Sequence, residues 1–394
     1  MTNPNLTDSL PTLYHCRCMA SSTKKRNPTI IDSLLHTLTF DLKIEILSRL
    51  PVKLLLQLTL ICKSLNSIIF NPNFVQKHLS ISTTRRLHLA SYSSLFNLKS
   101  YPLQSLFTGI TTNFTQLGFP FYNINTNVTD FYYIACSCHG ILCLADHYQY
   151  TVVLWNPSVR KFKILPPFEY PKYGTKVHVN HGFGYDRVSG HYKVVVRYHK
   201  RSTGSGIHED TTTVKVLTLG TDYWKTVPTF PFGTIFDFDA GKCVSGTINW
   251  LAYTKTYRVV QPFIVSFDLA KESFQKIFLP HHGRRDGCNL TLLVWKDCLG
   301  IICDHDVWVM KTYGVQESWT KLFSVSYLED PRMSCILTKA LYIFEDDKLL
   351  LELQEEKRRR KLIVYNPKNG TFKVSNFIRL PEVCVQSLLS PDII

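Results

Sequence analysis

The sequence lacks any hydrophobic run long enough to cross a membrane. Residues 1–35 hold no apolar stretch of the kind that a signal peptide requires, and nowhere do about 18 apolar residues follow one another. We therefore expect no membrane partner, and we expect the chain to reside in the cytoplasm, the nucleus or both.

Signatures of catalysis are equally scarce. Neither a G-x-S-x-G nucleophile elbow nor an H-E-x-x-H zinc motif occurs. Gly182-Phe-Gly184 lacks the third glycine of a nucleotide-binding loop. Acidic residues are outnumbered, with 30 Asp and Glu against 45 Lys and Arg, yet no predicted helix carries a dense basic stripe. The net charge of +15 therefore favours an acidic protein partner rather than a nucleic acid.

The 12 cysteines do not show the compact spacing of a small disulfide-linked domain, which favours a reducing compartment. Two short clusters suggest metal ligands: Cys136, Cys138 and His139 with Cys143, and the run from Cys303 to Asp306. Neither has the paired Cys-x₂₋₄-Cys spacing of zinc sites. Small core residues on a strand explain the first cluster and a β-turn explains the second, so we predict no metal and no cofactor.

A stretch rich in Leu and Ile near the N-terminus shows helical spacing of its apolar residues. From Asp41 to Leu50 they form one stripe, Pro51 breaks that helix and suits the start of the next, and Asn71-Pro72 stops the last one. Three short helices are too few to cover so much apolar surface themselves. The excess predicts a partner site, or alternatively a cap packed on the rest of the chain.

Three motifs in this stretch occur in a characteristic order: ILSRLPVK (Ile46 to Lys53), ICKS (Ile61 to Ser64) and NPNF (Asn71 to Phe74). Together they resemble an F-box, whose family docks on the Skp-type adaptor of a cullin ubiquitin ligase. The chain departs from that family at Thr39, usually Pro, and at Leu65, usually Trp. Losing an aromatic anchor is expected to weaken docking. The adaptor-binding residues that the resemblance implies are Leu38, Leu42, Ile46, Leu47, Leu50, Pro51, Leu54, Leu55, Ile61, Cys62 and Leu65.

Beyond the helical stretch, short runs rich in β-branched and alternating apolar residues are separated by Gly, Pro, Asn and Asp turns. Three of these runs place a second aromatic seven residues after the first, which predicts a repeated hairpin. The pairs are Trp155 with Phe162, Phe267 with Phe274, and Tyr365 with Phe372, and looser copies reach Trp224 and Trp319. A period of about 50 residues predicts a kelch-like β-propeller of about six blades, with a large β-sandwich as the alternative.

We predict that residues from both ends of this region close the ring, with Leu87 to Leu89 and Leu95 to Leu98 supplying the N-terminal strands. We also predict that the repeated aromatics are structural and that each packs within its own blade. These aromatics are Trp155, Trp224, Phe274, Trp319 and Phe372.

A second resemblance spans most of the predicted propeller. It rests on SCHGILCL (Ser137 to Leu144), LWNPSVRKFKILP (Leu154 to Pro166), GFGYD (Gly182 to Asp186), GTINWLA (Gly246 to Ala252) and WVMKTYGVQESWTKLFSV (Trp308 to Val325). This ordered set is similar to the plant F-box-associated interaction domain. The expected organisation is a disordered segment at 1–35, an F-box at 36–80 and a propeller at 85–394, so the fold class is mainly β with a small N-terminal α-helical F-box.

The two resemblances imply the substrate-recognition subunit of an SCF-type ubiquitin ligase, a non-catalytic subunit that reaches a cullin through the Skp adaptor. The propeller loops would recruit a target protein. Two alternatives stay open. One is a kelch-type propeller scaffold outside a ligase. The other is a kelch-type oxidase, whose copper ligands would come from the 20 Tyr and 14 His of the chain.

The longest polar interruption of the predicted strands runs from His199 to Thr213. A hairpin needs only about two to five loop residues, so this excess is either a recognition loop or a spacer without function. Together with the net charge, it leads us to expect an acidic target bound by Lys200, Arg201 and His208.

Overall fold

The computed structural model describes residues 38–92, 96–108, 114–118, 132–146, 151–168, 176–201, 211–228, 234–236, 240–255, 260–280, 289–325, 335–355, 360–376 and 380–392. The segment predicted to be disordered, residues 1–35, lies outside them, so that expectation stays a prediction. The chain divides into two compact units, Met1–Ile46 and Leu47–Ile394.

The described part of the N-terminal region contains four short helices, one more than the sequence predicted. They are α1 (Phe40–Ser48), α2 (Val52–Leu58), α3 (Lys63–Ile69) and α4 (Pro72–Ile81). Pro51 begins α2 as expected, because its carbonyl accepts the Leu55 amide at 3.1 Å. Asn71-Pro72 ends α3 but also begins α4. The Asn71 side chain accepts the Asn73 amide at 2.9 Å, and Pro72 fills the first turn, where no amide donor is needed.

The strands of the described residues form six antiparallel sheets, the blades of a propeller, as predicted. Blade 1 contains β1 (Arg85–Tyr92), β2 (Phe96–Pro102), β3 (Thr115–Leu117) and β25 (Leu380–Val385), with a short helix, α5 (Ser105–Thr108), after β2. Blade 2 contains β4 (Tyr132–Cys138), β5 (Ile141–Asp146), β6 (Val152–Asn156) and β7 (Lys161–Ile164). Blade 3 contains β8 (Lys176–Asp186), β9 (His191–Arg201), β10 (Thr211–Thr218) and β11 (Lys225–Val227).

The second half of the ring follows the same plan. Blade 4 contains β12 (Thr234–Phe236), β13 (Lys242–Val244), β14 (Thr247–Lys255), β15 (Val260–Asp268) and β16 (Ser273–Ile277). Both β12 and β13 pair with β14, so together they take the place of one inner strand. Blade 5 contains β17 (Leu290–Trp295), β18 (Cys298–Cys303), β19 (Asp306–Met310) and β20 (Trp319–Ser324). Blade 6 contains β21 (Cys335–Ile343), β22 (Leu349–Glu355), β23 (Arg360–Asn366) and β24 (Thr371–Asn376).

Strands from both ends of the propeller region close the ring, as the sequence predicted. The C-terminal strand β25 pairs with β1, so that His88 lies opposite Glu382. Leu87 to Leu89 belong to β1 and residues 96–98 to β2, while Leu95 lies outside the described residues. The inner strands contact one another in the cyclic order β25, β4, β8, β13, β17 and β21. This closed order excludes the β-sandwich alternative.

The hydrophobic cores lie between blades rather than inside them. Alternate residues of β14 show the pattern: Ile248 and Trp250 pack with blade 3, whereas Leu251 packs with blade 5. Another core joins blades 1 and 6 across the closure. Because each sheet exposes two apolar faces, only closure into a ring covers both of them.

The predicted aromatic hairpins are present, with Trp155 opposite Phe162, Phe267 opposite Phe274, and Tyr365 opposite Phe372. The prediction that each repeated aromatic packs within its own blade holds for Phe274, whose ring centroid lies 4.8 Å from that of Phe267 in the same blade, but is incomplete for the tryptophans. Trp155 packs with residues of blade 1 as well as of its own blade, and the indole N–H of Trp319 donates to the Phe278 carbonyl of blade 4 at 2.9 Å.

Trp224 repeats this contact, since its indole N–H donates to the Pro166 carbonyl of blade 2 at 2.7 Å. Phe372 is not a core residue, because 44% of its surface is exposed. The Trp at or just before the start of an outer strand therefore connects its blade to the preceding blade, whereas Phe372 in the last blade is partly exposed.

The chain after β25 is held against blade 2. The buried Asn156 amide donates to the carbonyls of Ser387 and Leu389 at 3.1 and 2.8 Å. A Cβ at Gly140, whose φ is +88°, would overlap the Ser387 side chain, so only glycine permits this approach. The Gln386 amide also donates to the Thr84 carbonyl at 2.8 Å, which adds a contact next to β1. The segment after β25 thus contacts both blade 2 and the residue before β1, which holds the closing strand in place.

Candidate functional site

Helix α1 keeps large apolar side chains in solvent. Leu42 and Ile46 lie one turn apart on the same face and are 51% and 49% exposed. Phe40, which the sequence analysis did not single out, is 61% exposed. Thr39, where the resembling family usually has Pro, takes the position of a helix cap: its hydroxyl accepts the Leu42 amide at 3.4 Å and its carbonyl accepts the Lys43 amide at 3.1 Å.

Helix α2 has a buried face and an exposed face. Leu55 is fully buried, while its neighbour Leu54 is 46% exposed. Pro51, just before the helix, is exposed. After the helix, Ile61 is 41% exposed and Leu60, which the sequence analysis did not select, is 86% exposed. Large apolar side chains left this far out of a core are typical of a surface that binds a partner.

The remaining residues predicted to bind the adaptor are less accessible. Leu47 and Leu65 are 4% and 2% exposed, so both serve as core residues of the helical segment. Leu38, Leu50 and Cys62 are half-buried. The sequence could not separate the two groups, because spacing identifies an apolar stripe, such as the one that Leu42, Ile46 and Leu47 share in α1, but does not show which part of it a neighbouring element covers.

An open depression of about 660 Å³ lies beside the exposed end of α2. Leu60 and Ile61 supply its apolar side, and Lys63, Asn66 and Ser67 on α3 supply its polar side. A mixed lining of this kind can receive an apolar side chain of a partner while hydrogen bonds fix that partner's orientation.

Two of the three residues predicted to bind the target, Lys200 and Arg201, lie at the end of β9. The strands extend further than the sequence predicted, because His199 pairs with Thr212 and Lys200 with Thr211. The interruption therefore begins after Arg201, at the end of β9. Cross-strand hydrogen bonding explains the extension, and the His199 ring also contacts the Thr212 hydroxyl at 3.0 Å. His208 lies outside the described residues, so the joint role of the three residues stays a prediction.

Two members of the first cysteine cluster, Cys136 and Cys143, are core residues. Cys136 lies opposite Cys143 across β4 and β5, and both are buried. The hydrogen bond with the Cys143 thiol and burial raise the pKa of Cys136, so its thiol stays protonated. Among the described residues, no group of three His, Cys, Asp or Glu side chains could hold a metal ion.

The run from Cys303 to Asp306 forms the turn between β18 and β19, as predicted. Asp304 adopts a left-handed conformation with φ of 53°, and its carboxylate accepts the Asn289 amide at 3.0 Å. Asp306 accepts a hydrogen bond from Ser324 at 2.7 Å and pairs with Lys321 at 2.8 Å. These carboxylates are therefore occupied by turn and strand contacts.

Comparison with known proteins gives a consistent result for both regions. Residues 103–384 match the model of the F-box associated beta propeller domain, and residues 35–77 match that of the F-box domain. The F-box/kelch-repeat protein At3g23880 of Arabidopsis thaliana is 29% identical over 376 residues, covering 91% of this chain and 96% of that protein. From the same plant, the F-box protein At3g07870 is 29% identical over 385 residues, covering 88% and 89%. The F-box protein CPR1 is 27% identical over 346 residues, covering 82% and 81%.

Solved structures are matched far more weakly. A structure of a prolyl endopeptidase is 12% identical with a TM-score of 0.35, covering 84% of this chain and 56% of that one, which supports no conclusion. In the part of the chain that the structure describes, no helix is long and apolar enough to span a membrane.

Proposed function

This chain belongs to the plant F-box proteins that carry an F-box associated β-propeller domain, and from that membership we propose that it is the substrate-recognition subunit of an SCF-type ubiquitin ligase. The F-box would dock on a Skp-type adaptor, and through it on a cullin. The propeller would hold a target protein, so that other subunits transfer ubiquitin to it by proximity. No residue of this chain would be catalytic.

The exposed leucines and isoleucines of the helical segment carry this proposal. Leu42, Leu54 and Ile61 each keep 41% to 51% of their surface in water, and a partner that covers them removes apolar area from water. Full burial of one such side chain contributes roughly 1.5–3 kcal/mol, so a few of them support an affinity in the micromolar range. The buried Leu55 and Leu65 would contribute indirectly by holding the helices in position.

Target recognition is assigned to the loops of the propeller. The blade faces pack against neighbouring blades, so variable chemistry is left to the connections between strands. Lys200 and Arg201 end β9, and with His208 they would present positive charge to an acidic target. The net charge of +15 supports an acidic target over a basic one.

The docking proposal is tested with two aspartate variants of equal starting exposure. Leu54 in α2 and Ile164 in β7 are both 46% exposed. We expect Leu54→Asp to reduce binding to a purified Skp-type adaptor by on the order of a hundredfold, because an unpaired carboxylate buried at the interface costs several kcal/mol. Ile164→Asp should bind like the wild type. Calorimetric titration measures both, and wild-type affinity of Leu54→Asp would refute docking through α2.

Failure of the wild-type chain to bind any Skp-type adaptor would favour the alternative of a propeller scaffold outside a ligase. The target site is tested separately by replacing residues 201–210 with Asn-Gly, a two-residue turn that fits the pairing of Lys200 with Thr211. We expect adaptor binding and melting temperature to stay unchanged while capture of the target decreases. Full ubiquitination of a target by this variant would identify the segment as a spacer.

A further inference from the structure

A second cavity, of about 190 Å³, lies between the turn that joins α1 to α2 and the connector that leads from α4 into β1. Residues 48–51 form one side of it, and His78, Ile81 and residues 82–84 form the other. All of them belong to one compact unit, Leu47–Ile394. Pockets for drug-sized ligands have volumes of roughly 300 Å³ or more, so this cavity suits a smaller molecule.

His78, which lines the cavity, has one ring nitrogen without a partner. Its side chain is 3% exposed, and its Nε2 lies 3.0 Å from the Leu50 carbonyl oxygen. A carbonyl oxygen only accepts hydrogen bonds, so Nε2 carries the proton and the neutral ring has an acceptor at Nδ1. Nδ1 makes no hydrogen bond. A buried polar atom without a partner costs free energy, so a ligand that shares a proton with Nδ1 would gain the removal of that penalty.

The remaining polar groups of the lining are hydroxyls and a guanidinium. Ser48, Ser82, Thr83 and Thr84 supply the hydroxyls, and Arg49 supplies a permanent positive charge at an exposed position. None of the nine described residues that line the cavity is Asp or Glu. Hydroxyl donors and a guanidinium without a carboxylate favour an anion, and the planar guanidinium matches two oxygens of a phosphate.

The cavity also has an apolar wall, made of Leu50, Pro51 and Ile81. Leu50 is half-buried, Pro51 is exposed, and 42% of the Ile81 surface is in solvent. A ligand that covers these side chains removes apolar area from water, which favours binding. The lining therefore fits an anionic group that carries a short carbon chain.

We propose that this cavity is a binding site for a small phosphate monoester. The phosphate oxygens accept hydrogen bonds from Arg49 and from the hydroxyls of Thr83 and Thr84, and one oxygen shares a proton with Nδ1 of His78. The carbon chain of the ester lies along the apolar wall, against Ile81. This site does not depend on the proposed role in a ubiquitin ligase.

The connector on one side of the cavity is held to the end of the propeller chain. The Ser82 hydroxyl donates to the Gln386 carbonyl at 3.1 Å, and the Thr84 carbonyl accepts the Gln386 amide at 2.8 Å. A ligand that bridges this connector to Arg49 couples the α1–α2 turn to the ring closure. We expect amide hydrogen exchange at residues 48–50 and 82–84 to slow when the site is filled.

The test titrates the full chain by calorimetry, at constant ionic strength, with ethyl phosphate, inorganic phosphate and ethyl sulfate. Ethyl phosphate should bind at one site per chain with a Kd on the order of 1 mM or lower. Inorganic phosphate should bind more weakly, by about fourfold for each methylene that the cavity buries. Ethyl sulfate should bind about tenfold more weakly than ethyl phosphate, because it brings no proton to Nδ1 of His78.

Two variants that remove a positive charge separate this site from general attraction to a basic chain. Arg49→Gln should weaken ethyl phosphate binding by about tenfold or more. Lys53→Gln is the matched control, since Lys53 is exposed at the start of α2 but does not line the cavity, and it should bind like the wild type.

A third variant tests the buried histidine. His78→Gln keeps an N–H that can donate to the Leu50 carbonyl but has no counterpart of Nδ1. We expect a melting temperature near that of the wild type and ethyl phosphate binding about tenfold weaker. Wild-type affinity in this variant would remove His78 from the site and overturn the proposal.

Three further results would contradict it. Ethyl phosphate that fails to bind at about ten times the expected Kd would leave a cavity that holds only water. Equal losses in Arg49→Gln and Lys53→Gln would show nonspecific attraction of an anion. Ethyl sulfate that binds as tightly as ethyl phosphate would refute the assignment of a phosphate ester.

Discussion

The helices leave a larger share of their large apolar side chains exposed than the blades do. Leu60 after α2 is 86% exposed and Phe40 in α1 is 61% exposed, whereas Trp155 and Tyr365 in the blades are both 2% exposed. A closed ring covers both faces of every sheet, so neighbouring blades bury most of each other's apolar surface. Four short helices lack such a repeat, and part of their apolar surface remains accessible. The apolar chemistry available to a partner is therefore concentrated in the helices.

This contrast also indicates where specificity lies. The blade aromatics are used to connect neighbouring blades, as the hydrogen bond from Trp319 to the Phe278 carbonyl shows. They are not free to recognise a target. Under the proposed function, the loops would select a target without any change to the ring, and the helices would provide a docking surface that does not depend on the target.

The largest expected effect tests whether the buried aromatics of the blades stabilise the fold. Trp319 is the first and Phe372 the second residue of the outer strand of a blade, but they are 8% and 44% exposed. We expect Trp319→Ala to lower the free energy of unfolding by about 3–5 kcal/mol, the usual loss for a buried large aromatic. Phe372→Ala should cost about 1–2 kcal/mol, since only about half of its surface is buried. Urea denaturation measures both, and equal losses would contradict the contrast between buried and open positions.

A second prediction concerns the seam where β1 and β25 close the ring. Burial and the charge of Arg86 lower the pKa of His88 to about 3, although Glu382 opposes them. The unfolded chain binds a proton at this residue below about pH 6.5, whereas the folded chain does not. The stability that His88 contributes is thus fully present above pH 6.5 and is lost as the pH falls towards the folded value.

Between pH 6.5 and 5 this loss should amount to about 1.4 kcal/mol per pH unit at most, measured as the free energy of unfolding. His88→Gln should flatten the dependence over the same range. An identical slope in the variant would show that His88 titrates alike in both states.

The smallest expected effect is confined to the helices. Asn71→Ala removes the acceptor of the Asn73 amide at the start of α4 and should cost about 1 kcal/mol of helix stability. We expect amide hydrogen exchange in residues 72–81 to be roughly fivefold faster, with exchange in the blades unchanged. Asn71→Ser keeps a capping oxygen and should behave like the wild type. Faster exchange in the blades as well would mean that helices and ring unfold together.

Much of the ring was predictable because its signals are local. The spacing of seven residues between Trp155 and Phe162 predicted a hairpin, and the two residues pair across its strands. The extent of β9 was underestimated, because His199 and Lys200 look polar in sequence but are paired with β10. The helical segment was recognised from its order of motifs, yet its fourth helix was missed since Asn71-Pro72 both ends and begins a helix.

The sequence by itself determined the period, the hairpins, the closure by both ends and the family to which the chain belongs, because these depend on residues close together or on the order of motifs. The tertiary structure alone decided which leucines are exposed, since Leu54 and Leu55 are identical residues that differ only in what covers them. It also decided that Trp319 contacts the preceding blade and that Cys243 lies against Gly184 of the neighbouring blade. Those contacts join segments far apart in the chain, so no local pattern encodes them.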